Sequence, residues 1–117
     1  MKIEIITSQN FRKEARPLLK KYPSLRKELI DLEEELIKDP LKGIPIGKNC
    51  FKIRLAIKSK GKGKSKGARV ITFVIVEISK DKERYTLVNL ASIYDKSQYE
   101  NISDRDLRRI IKEIKEN

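Results

Sequence analysis

The segment from Ala68 to Ile78 constrains the fold most, because its residues are nearly all apolar. The stretch from Val70 to Val76 contains Thr72 and is far too short to span a membrane. A short, nearly continuous apolar run favours a strand that is covered on both faces. After a polar turn from Ser79 to Glu83, the segment from Tyr85 to Tyr94 is expected to pair back as the next strand. The sequence therefore predicts a central hairpin that other elements must cover.

Two further segments alternate between apolar and other residues, as half-buried strands do. The first runs from Lys2 to Thr7 and the second from Cys50 to Lys58. The loop before the second strand contains Gly43, Pro45 and Gly47 and is expected to have no regular structure. The second strand would have one apolar face and one mainly cationic face, namely Phe51, Ile53, Leu55 and Ile57 on the first and Lys52, Arg54, Ala56 and Lys58 on the second.

Three segments have the periodicity of amphipathic helices, and each follows a serine that can cap it: Ser8, Ser24 and Ser103. Pro17 is expected to kink or shorten the first helix, and Asp39-Pro40 to end the second. The apolar stripes consist of Phe11, Ala15, Leu18 or Leu19 and Tyr22 in the first helix, of Leu25, Leu29, Leu32 and Leu36 in the second, and of Leu107, Ile110, Ile111 and Ile114 in the third.

These elements predict the order β-α-α-β-β-β-α within a single domain that spans residues 1–117. The expected architecture is α+β, with a mainly antiparallel four-stranded sheet that carries its helices on one face. The opposite face would present Lys52, Arg54 and Lys58 from the strand that begins at Cys50. We therefore expect the functional surface on that face.

Positive charge is concentrated in one part of the sequence. The chain has 28 lysine and arginine residues against 17 aspartate and glutamate residues, which gives a net charge of +11. Ten of the basic residues and no acidic residue lie between Lys42 and Arg69, so 28 minus 10 leaves 18 basic against 17 acidic residues elsewhere. A polyanion-binding surface needs such a concentrated field, although a solvated loop beside ordinary lysines would give the same pattern.

Missing residue types exclude several kinds of active site. The chain has no histidine, which excludes imidazole acid–base catalysis and both Ser-His-Asp and Cys-His arrangements. The single Cys50 can form neither an internal disulfide nor, without histidine, a structural zinc site. The glycine-lysine run from Gly61 to Lys64 lacks the strand-to-helix setting of a phosphate-binding loop. We expect no metal, no cofactor and, since no signal peptide is visible, a cytoplasmic protein.

Catalysis by cations remains possible. RNA can be cleaved by its own 2′-hydroxyl, so the protein needs to activate that hydroxyl, stabilise the phosphorane and protonate the leaving 5′ oxygen. Arginine and lysine can stabilise the phosphorane, and a lysine crowded by other cations can have a pKa low enough for proton transfer. Each such cation can equally position a phosphate without any catalytic role, or simply be solvated.

The sequence resembles the RelE/HigB family, whose members are the toxins of type II toxin–antitoxin pairs. The resemblance covers essentially the whole chain and is carried by five segments in the family's order: Lys21–Leu25, Pro40–Gly47, Asn49–Leu55, Lys58–Phe73 and Leu90–Lys96. It implies a RelE-like fold and a toxin that binds in the ribosomal A site and cuts mRNA there by 2′-hydroxyl attack without metal.

The resemblance also implies roles for four cations. By position, Lys52 and Arg54 match a basic pair on the family's second strand, Arg69 matches the arginine that opens the third strand, and Lys96 matches the basic residue after the fourth. Arg69 and Lys96 would contact the scissile phosphate. Lys52 or Arg54 would assist proton transfer.

Further RNA contacts are expected from a flexible cationic loop and from two aromatic residues. These residues are Lys58, Lys60, Lys62, Lys64, Lys66, Tyr94 and Tyr99. Several family members carry a catalytic or base-stacking tyrosine or histidine near the C-terminus, whereas Tyr99 falls earlier and Tyr94 can stack instead. Either tyrosine can equally serve packing.

The expected partners are the ribosome, mRNA and a cognate antitoxin, expected to be a small helix-turn-helix protein; no membrane partner is expected. Two alternatives stay open. The chain can be a basic RNA- or DNA-binding module without catalysis, or a toxin homologue that has lost its activity.

Overall fold

The computed structural model describes residues 2–60 and 67–116. Within them the chain has a mixed α+β fold of five strands, three α-helices and one short 3₁₀ turn (Lys58–Lys60). The strands and α-helices are, in chain order, β1 (Lys2–Thr7), α1 (Gln9–Lys21), α2 (Leu25–Lys38), β2 (Ile44–Gly47), β3 (Cys50–Leu55), β4 (Ala68–Ile78), β5 (Arg84–Asp95) and α3 (Asp104–Glu116). No helix in these two ranges combines the length and apolar character needed to cross a lipid bilayer.

The strands form one sheet in the order β1-β5-β4-β3-β2. The two longest strands, β4 and β5, pair antiparallel over almost their whole length, which confirms the predicted central hairpin. β3 and β2 extend the sheet antiparallel on one side. β1 pairs parallel with β5 on the other side, so the sheet is mixed.

The sheet has five strands among the described residues rather than the expected four, because part of the predicted loop forms β2. β2 lies at the sheet edge, where Pro45 is tolerated because an edge strand leaves half of its amide groups without strand partners. Lys48 and Asn49 join β2 to β3 through a two-residue turn with left-handed φ values of 57° and 62°. β3 ends at Leu55, before the predicted end at Lys58.

Helices cover both faces of the sheet, which corrects the prediction that they lie on one face. Along β4, Val70 and Val74 belong to the apolar cluster that α1 and α2 complete. Ile71 and Phe73, which point the other way, belong to a second cluster with α3. The physical reason lies in β4 itself, since apolar side chains on both of its faces need cover on both sides.

The helix ends follow the predicted capping in two of three cases. The hydroxyl oxygens of Ser8 and Ser103 each accept a hydrogen bond from the amide three residues later, at 3.0 and 3.1 Å. Ser24 has a helical backbone and its hydroxyl bonds instead to Glu28 Oε1, so it does not cap α2. Pro17 does not shorten α1, which continues to Lys21 because its buried face holds the helix on the sheet.

Side chains of α1 replace the missing neighbour strand along the last part of β5. β1 pairs with β5 only as far as Leu90. Beyond that residue, Asn10 Nδ2 donates a hydrogen bond to the Ala91 carbonyl at 3.1 Å. Glu14 Oε1 accepts one from the buried Ser92 hydroxyl at 2.7 Å. These contacts satisfy polar groups at an otherwise unpaired strand edge and fix the end of β5 against α1.

We expect Glu14→Ala to lower the free energy of unfolding by about 1–3 kcal/mol, because the buried Ser92 hydroxyl loses its acceptor. Urea denaturation at neutral pH measures the change. Glu34→Ala is the matched control, since Glu34 is exposed on α2 and the same truncation there should cost less than about 0.5 kcal/mol. Equal losses in the two variants would show that the strand-edge contact is not stabilising.

Candidate nucleic-acid interface

Arg54, Arg69 and Tyr94 form a row across three neighbouring strands. Arg54 of β3 lies opposite Arg69 of β4, and Arg69 lies opposite Tyr94 of β5. Residues directly opposite each other on adjacent strands have Cβ atoms about 5 Å apart and point to the same face. Tyr94 belongs to the apolar cluster of α3, so the row lies on the α3 face of the sheet. The register thus brings together two cations that are 15 residues apart in the sequence.

Lys52 lies two residues before Arg54 on β3. Because side chains alternate between the two faces of a strand, it points to the same face as Arg54. Its Nζ atom donates a hydrogen bond to Asn101 Oδ1 at 2.7 Å. Asn101 lies in the segment between β5 and α3, so this segment reaches back over the sheet as far as β3. The contact holds the ammonium group of Lys52 near the row.

Lys96 directly follows β5 at the same end of the sheet. Its backbone amide donates to the Gly67 carbonyl at 3.0 Å, which joins it to the residue before β4. Gly67 itself has no room for a side chain, because a Cβ atom there would collide with the Leu55 carbonyl oxygen. The Nζ atom of Lys96 lies 3.5 Å from Glu100 Oε1, so a carboxylate partly offsets its charge.

The three cations of β3 and β4 differ in access to solvent. Arg54 is exposed and Lys52 is half-buried, whereas Arg69 is only 3% exposed. The Nη1 atom of Arg69 donates to the Ala68 carbonyl at 3.2 Å. A phosphate can therefore approach Arg54 and Lys52 directly. It reaches Arg69 only when the groups that cover this side chain move.

Tyr94 and Tyr99 stack with ring centroids 4.3 Å apart and an interplanar angle of 21°. Tyr94 is 1% exposed, so it serves packing, whereas Tyr99 is 40% exposed and presents an aromatic surface. Burial raises the pKa of Tyr94, and it raises the pKa of Tyr99 to about 12. Both phenols are therefore neutral at pH 7 and neither can act as a general base there.

The predicted lysine loop has only its first part within the described residues. Lys58 is exposed, and its backbone amide donates to Glu28 Oε2 at 2.7 Å. The side chain of Lys60 is 15% exposed and forms an ion pair with Asp95. Lys60 thus contributes to the structure of this end of the sheet. Lys62, Lys64 and Lys66 lie outside the described residues.

Asp95 at the end of β5 is the centre of a buried polar network that the sequence pattern did not indicate. Its carboxylate accepts hydrogen bonds from the Tyr22 hydroxyl at 2.8 Å, from Lys60, and from the amide and hydroxyl of Ser97 at 2.9 Å each. Burial alone would raise the pKa of Asp95, but the bonds from Lys60, Ser97 and Tyr22 hold it well below its usual value. Tyr22 and Lys60 lie 73 and 35 residues from Asp95 in the sequence, so no local spacing signals these two contacts, whereas Ser97 is a local partner.

Lys52 and Arg54 can contact a phosphodiester and stabilise negative charge on it, and Arg69 lies on the same face and can add to this only once it is uncovered. Cys50 on the same strand is buried, and burial raises the pKa of its thiol to about 11, so it is a packing residue and not a nucleophile at pH 7. Within the described residues, no group of three or more cysteine, aspartate or glutamate side chains is arranged to hold a metal ion.

Comparison with known proteins adds no family to this description. No protein-family model matches the chain, and no curated protein is similar enough to it to count as a match.

We expect Asp95→Asn to destabilise the protein by about 3 kcal/mol at pH 7, because it leaves the largely buried Lys60 without its counter-ion. The pKa of Asp95 is lowered by folding, so its contribution is complete above the unfolded value near 3.8 and is lost as the pH falls below it. The difference in unfolding free energy between wild type and variant, measured with urea, should therefore narrow from pH 7 to pH 3. If the difference in unfolding free energy stays constant over this range, folding does not lower the pKa of Asp95.

Proposed function

We propose that this chain is a cytoplasmic toxin of the RelE/HigB type with a RelE-like fold, which cleaves mRNA on the ribosome without metal. The observation that carries the proposal is the row of Arg54 and Arg69 on neighbouring strands, with Lys52 beside it and Lys96 at the same end of the sheet. Cross-strand register puts Arg54 and Arg69 on one face of the sheet, and this proximity of cations from two strands supports binding of a phosphodiester.

The proposed reaction needs no nucleophile from the protein. The substrate 2′-hydroxyl attacks the adjacent phosphorus, the bond from phosphorus to the 5′ oxygen breaks, and the products carry a cyclic 2′,3′-phosphate and a free 5′-hydroxyl. Arg69 and Lys96 hold the scissile phosphate and stabilise the charge of the phosphorane. Lys52 or Arg54 assists the proton transfers. Tyr99, the exposed member of the tyrosine stack, receives a base.

The burial of Arg69 fits a requirement for the ribosome. In the free protein this side chain is 3% exposed, so the cluster is incomplete as a phosphate site. Binding energy from ribosomal RNA and mRNA would uncover it, as expected where an active site is completed only by its proper substrate. Such a toxin would not degrade RNA at random in solution.

A second candidate function is a nucleic-acid-binding module, or an inactive toxin homologue, with the same surface. The specific observation in its favour is that burial raises the pKa of Tyr94, Tyr99 and Cys50, so none of these groups is activated as a base. A surface of cations without a base binds a phosphate backbone without cutting it.

We expect the wild-type protein to halt translation in a cell-free extract and to leave cleaved mRNA. Arg54→Ala should slow cleavage by about 100-fold, because it removes an exposed cation that would assist proton transfer beside the scissile phosphate. Arg84→Ala is the matched control, since Arg84 is exposed at the opposite end of the β4–β5 hairpin and carries the same charge. Primer extension on the message measures the cut.

Arg69→Ala should abolish cleavage altogether while circular dichroism shows a retained fold. Translation arrest without mRNA scission would favour the binding module. An extract in which wild-type protein affects neither translation nor message would refute the nuclease.

The proposed antitoxin partner has a suitable groove on the other face of the molecule. A groove of about 590 Å³ runs between α1, α2 and the sheet, with an apolar lining that includes Phe11 and Leu29. Four cations, Arg12, Arg16, Lys20 and Arg26, and one carboxylate, Glu33, line it as well. This combination fits an acidic, amphipathic segment of a protein partner, whose apolar side chains would fill the groove while its carboxylates meet the rim.

We expect expression of this chain alone to arrest bacterial growth, and co-expression with the reading frame next to its gene to restore it. Arg16→Glu should weaken that rescue without reducing toxicity, because it reverses one rim charge far from the cation row. Lys38→Glu is the matched control, since Lys38 is an exposed residue of α2. Rescue that is equally strong with Arg16→Glu and Lys38→Glu would show that the partner does not use this groove.

A further inference from the structure

The outer surface of α3 is divided by charge. With 3.6 residues per turn, its residues fall into three sectors around the helix axis. The sector on the sheet is apolar, and the two flanks beside it differ in sign. The sectors comprise Leu107, Ile110, Ile111 and Ile114 on the sheet side, Arg105, Arg108, Lys112 and Lys115 on one flank, and Asp106, Arg109, Glu113 and Glu116 on the other; Asp104, at the start of the helix, lies beside Arg108 at the edge of the cationic flank. The cationic flank has a spacing of three, four and three residues, so it forms one stripe.

The cationic flank faces the turn between β2 and β3. A depression of about 540 Å³ lies there, and its lining includes Lys48 of the turn together with Arg108, Lys112 and Lys115. All three α3 side chains are exposed. Phe73 forms part of the floor, with Lys115 Nζ 5.9 Å from its ring centroid. Four cations thus surround one open depression.

Two carboxylates near this depression offset part of its charge and leave an excess of cations. Asp104 lies 3.3 Å from Lys48 and 3.2 Å from Arg108, and Glu116 lies at the rim. Both ion pairs of Asp104 are largely exposed, so water screens them and they are weak. A polyanion can therefore replace Asp104 as the partner of these cations.

Lys48 occupies an unusual backbone position for a residue with a side chain. It is the first residue of the two-residue turn and has a left-handed φ of 57°, a conformation that favours glycine. Its ion pair with Asp104 shows that the ammonium group lies beside α3. Lys82 has a similar φ of 63° in another turn, so the role of Lys48 rests on its place in the depression and not on its backbone.

We propose that the cationic flank of α3, together with Lys48, binds the phosphodiester backbone of an RNA strand outside the cleavage site. The stripe from Arg105 to Lys115 would contact phosphates and not bases. Such contacts position a strand without recognising its sequence. On the other side of α3, Asp106 and Glu113 are acidic and Arg109 is paired with Glu113, so that flank offers a strand less positive charge than the β3 side does.

The identification of the ligand as RNA rests on the proposed function. Ten residues separate Arg105 from Lys115, which corresponds to a stripe about 15 Å long. That length suits several successive phosphates of one strand. Lys52, on the strand that follows the Lys48 turn, belongs to the candidate cleavage site, so both surfaces lie on the α3 face of the sheet.

The test measures binding of a short RNA that carries 2′-O-methyl groups, which cannot be cut by 2′-hydroxyl attack. The triple variant Arg108→Gln, Lys112→Gln, Lys115→Gln should bind at least tenfold more weakly at low salt. The slope of log affinity against log salt concentration should fall by about 2, the amount expected for the loss of roughly three phosphate contacts. The control triple variant Lys13→Gln, Lys27→Gln, Lys38→Gln removes the same charge from exposed sites on α1 and α2 and should keep the slope.

A second variant separates binding from folding. Lys48→Gly removes a cation and places glycine at a left-handed position, so the melting temperature should stay equal or rise while RNA affinity falls. Unchanged RNA affinity in this variant would overturn the role of Lys48, whatever its melting temperature.

The outcomes distinguish this proposal from the nuclease itself. If wild-type protein cuts mRNA on the ribosome but the α3 triple variant binds the methylated RNA as tightly as its control, the α3 surface is refuted and the nuclease stands. If wild-type protein does not cut mRNA but the α3 triple variant alone loses affinity and salt slope, the surface stands and the nuclease is refuted. If wild-type protein does not bind the methylated RNA, the α3 surface is refuted, and cleavage of mRNA on the ribosome alone decides the nuclease.

Discussion

The β4 strand carries apolar side chains on both of its faces, and the other elements are arranged around that constraint. Val70 and Val74 require the cover that α1 and α2 provide, while Ile71 and Phe73 require α3. β5 and β3 satisfy the backbone of β4 on its two edges. Burying these four side chains removes apolar surface from water on both sides of one strand, which contributes several kcal/mol and fixes where each helix can lie. The candidate site depends on this arrangement, because it lies on the same strands.

Charged residues at this end of the sheet have two different roles. Asp95 and Lys60 form a buried ion pair, supported by Tyr22 and Ser97, that joins the end of β5 to α1 and to the turn after β3. Arg54, by contrast, is exposed and has the access to solvent that a ligand needs. A lysine in a basic segment is therefore not automatically a binding residue. Whether its charge is already paired inside the protein decides which role it can have.

The α3 face combines two cationic surfaces that differ in construction. The row of Arg54 and Arg69 results from the register of the sheet, which places these residues directly opposite each other on neighbouring strands. The flank of α3 is built by helical periodicity within a single element, and the Lys48 turn completes it. Because one helix also carries the apolar stripe that covers β4, its orientation on the sheet sets which way the cationic flank faces. Packing of the core and placement of charge are thus coupled through α3.

The sequence by itself determined the central hairpin, the three helices and the segment in which cations concentrate, because these follow from period and composition within short windows. It did not reveal β2, since an isolated Ile44–Gly47 segment with Pro45 has no strand signal until the edge of β3 offers backbone partners. It also could not place α3 on the second face or pair Lys60 with Asp95, which are 35 residues apart. Only the tertiary structure decides such contacts, because the residues that make them meet through the register of the sheet and not through their spacing in the chain.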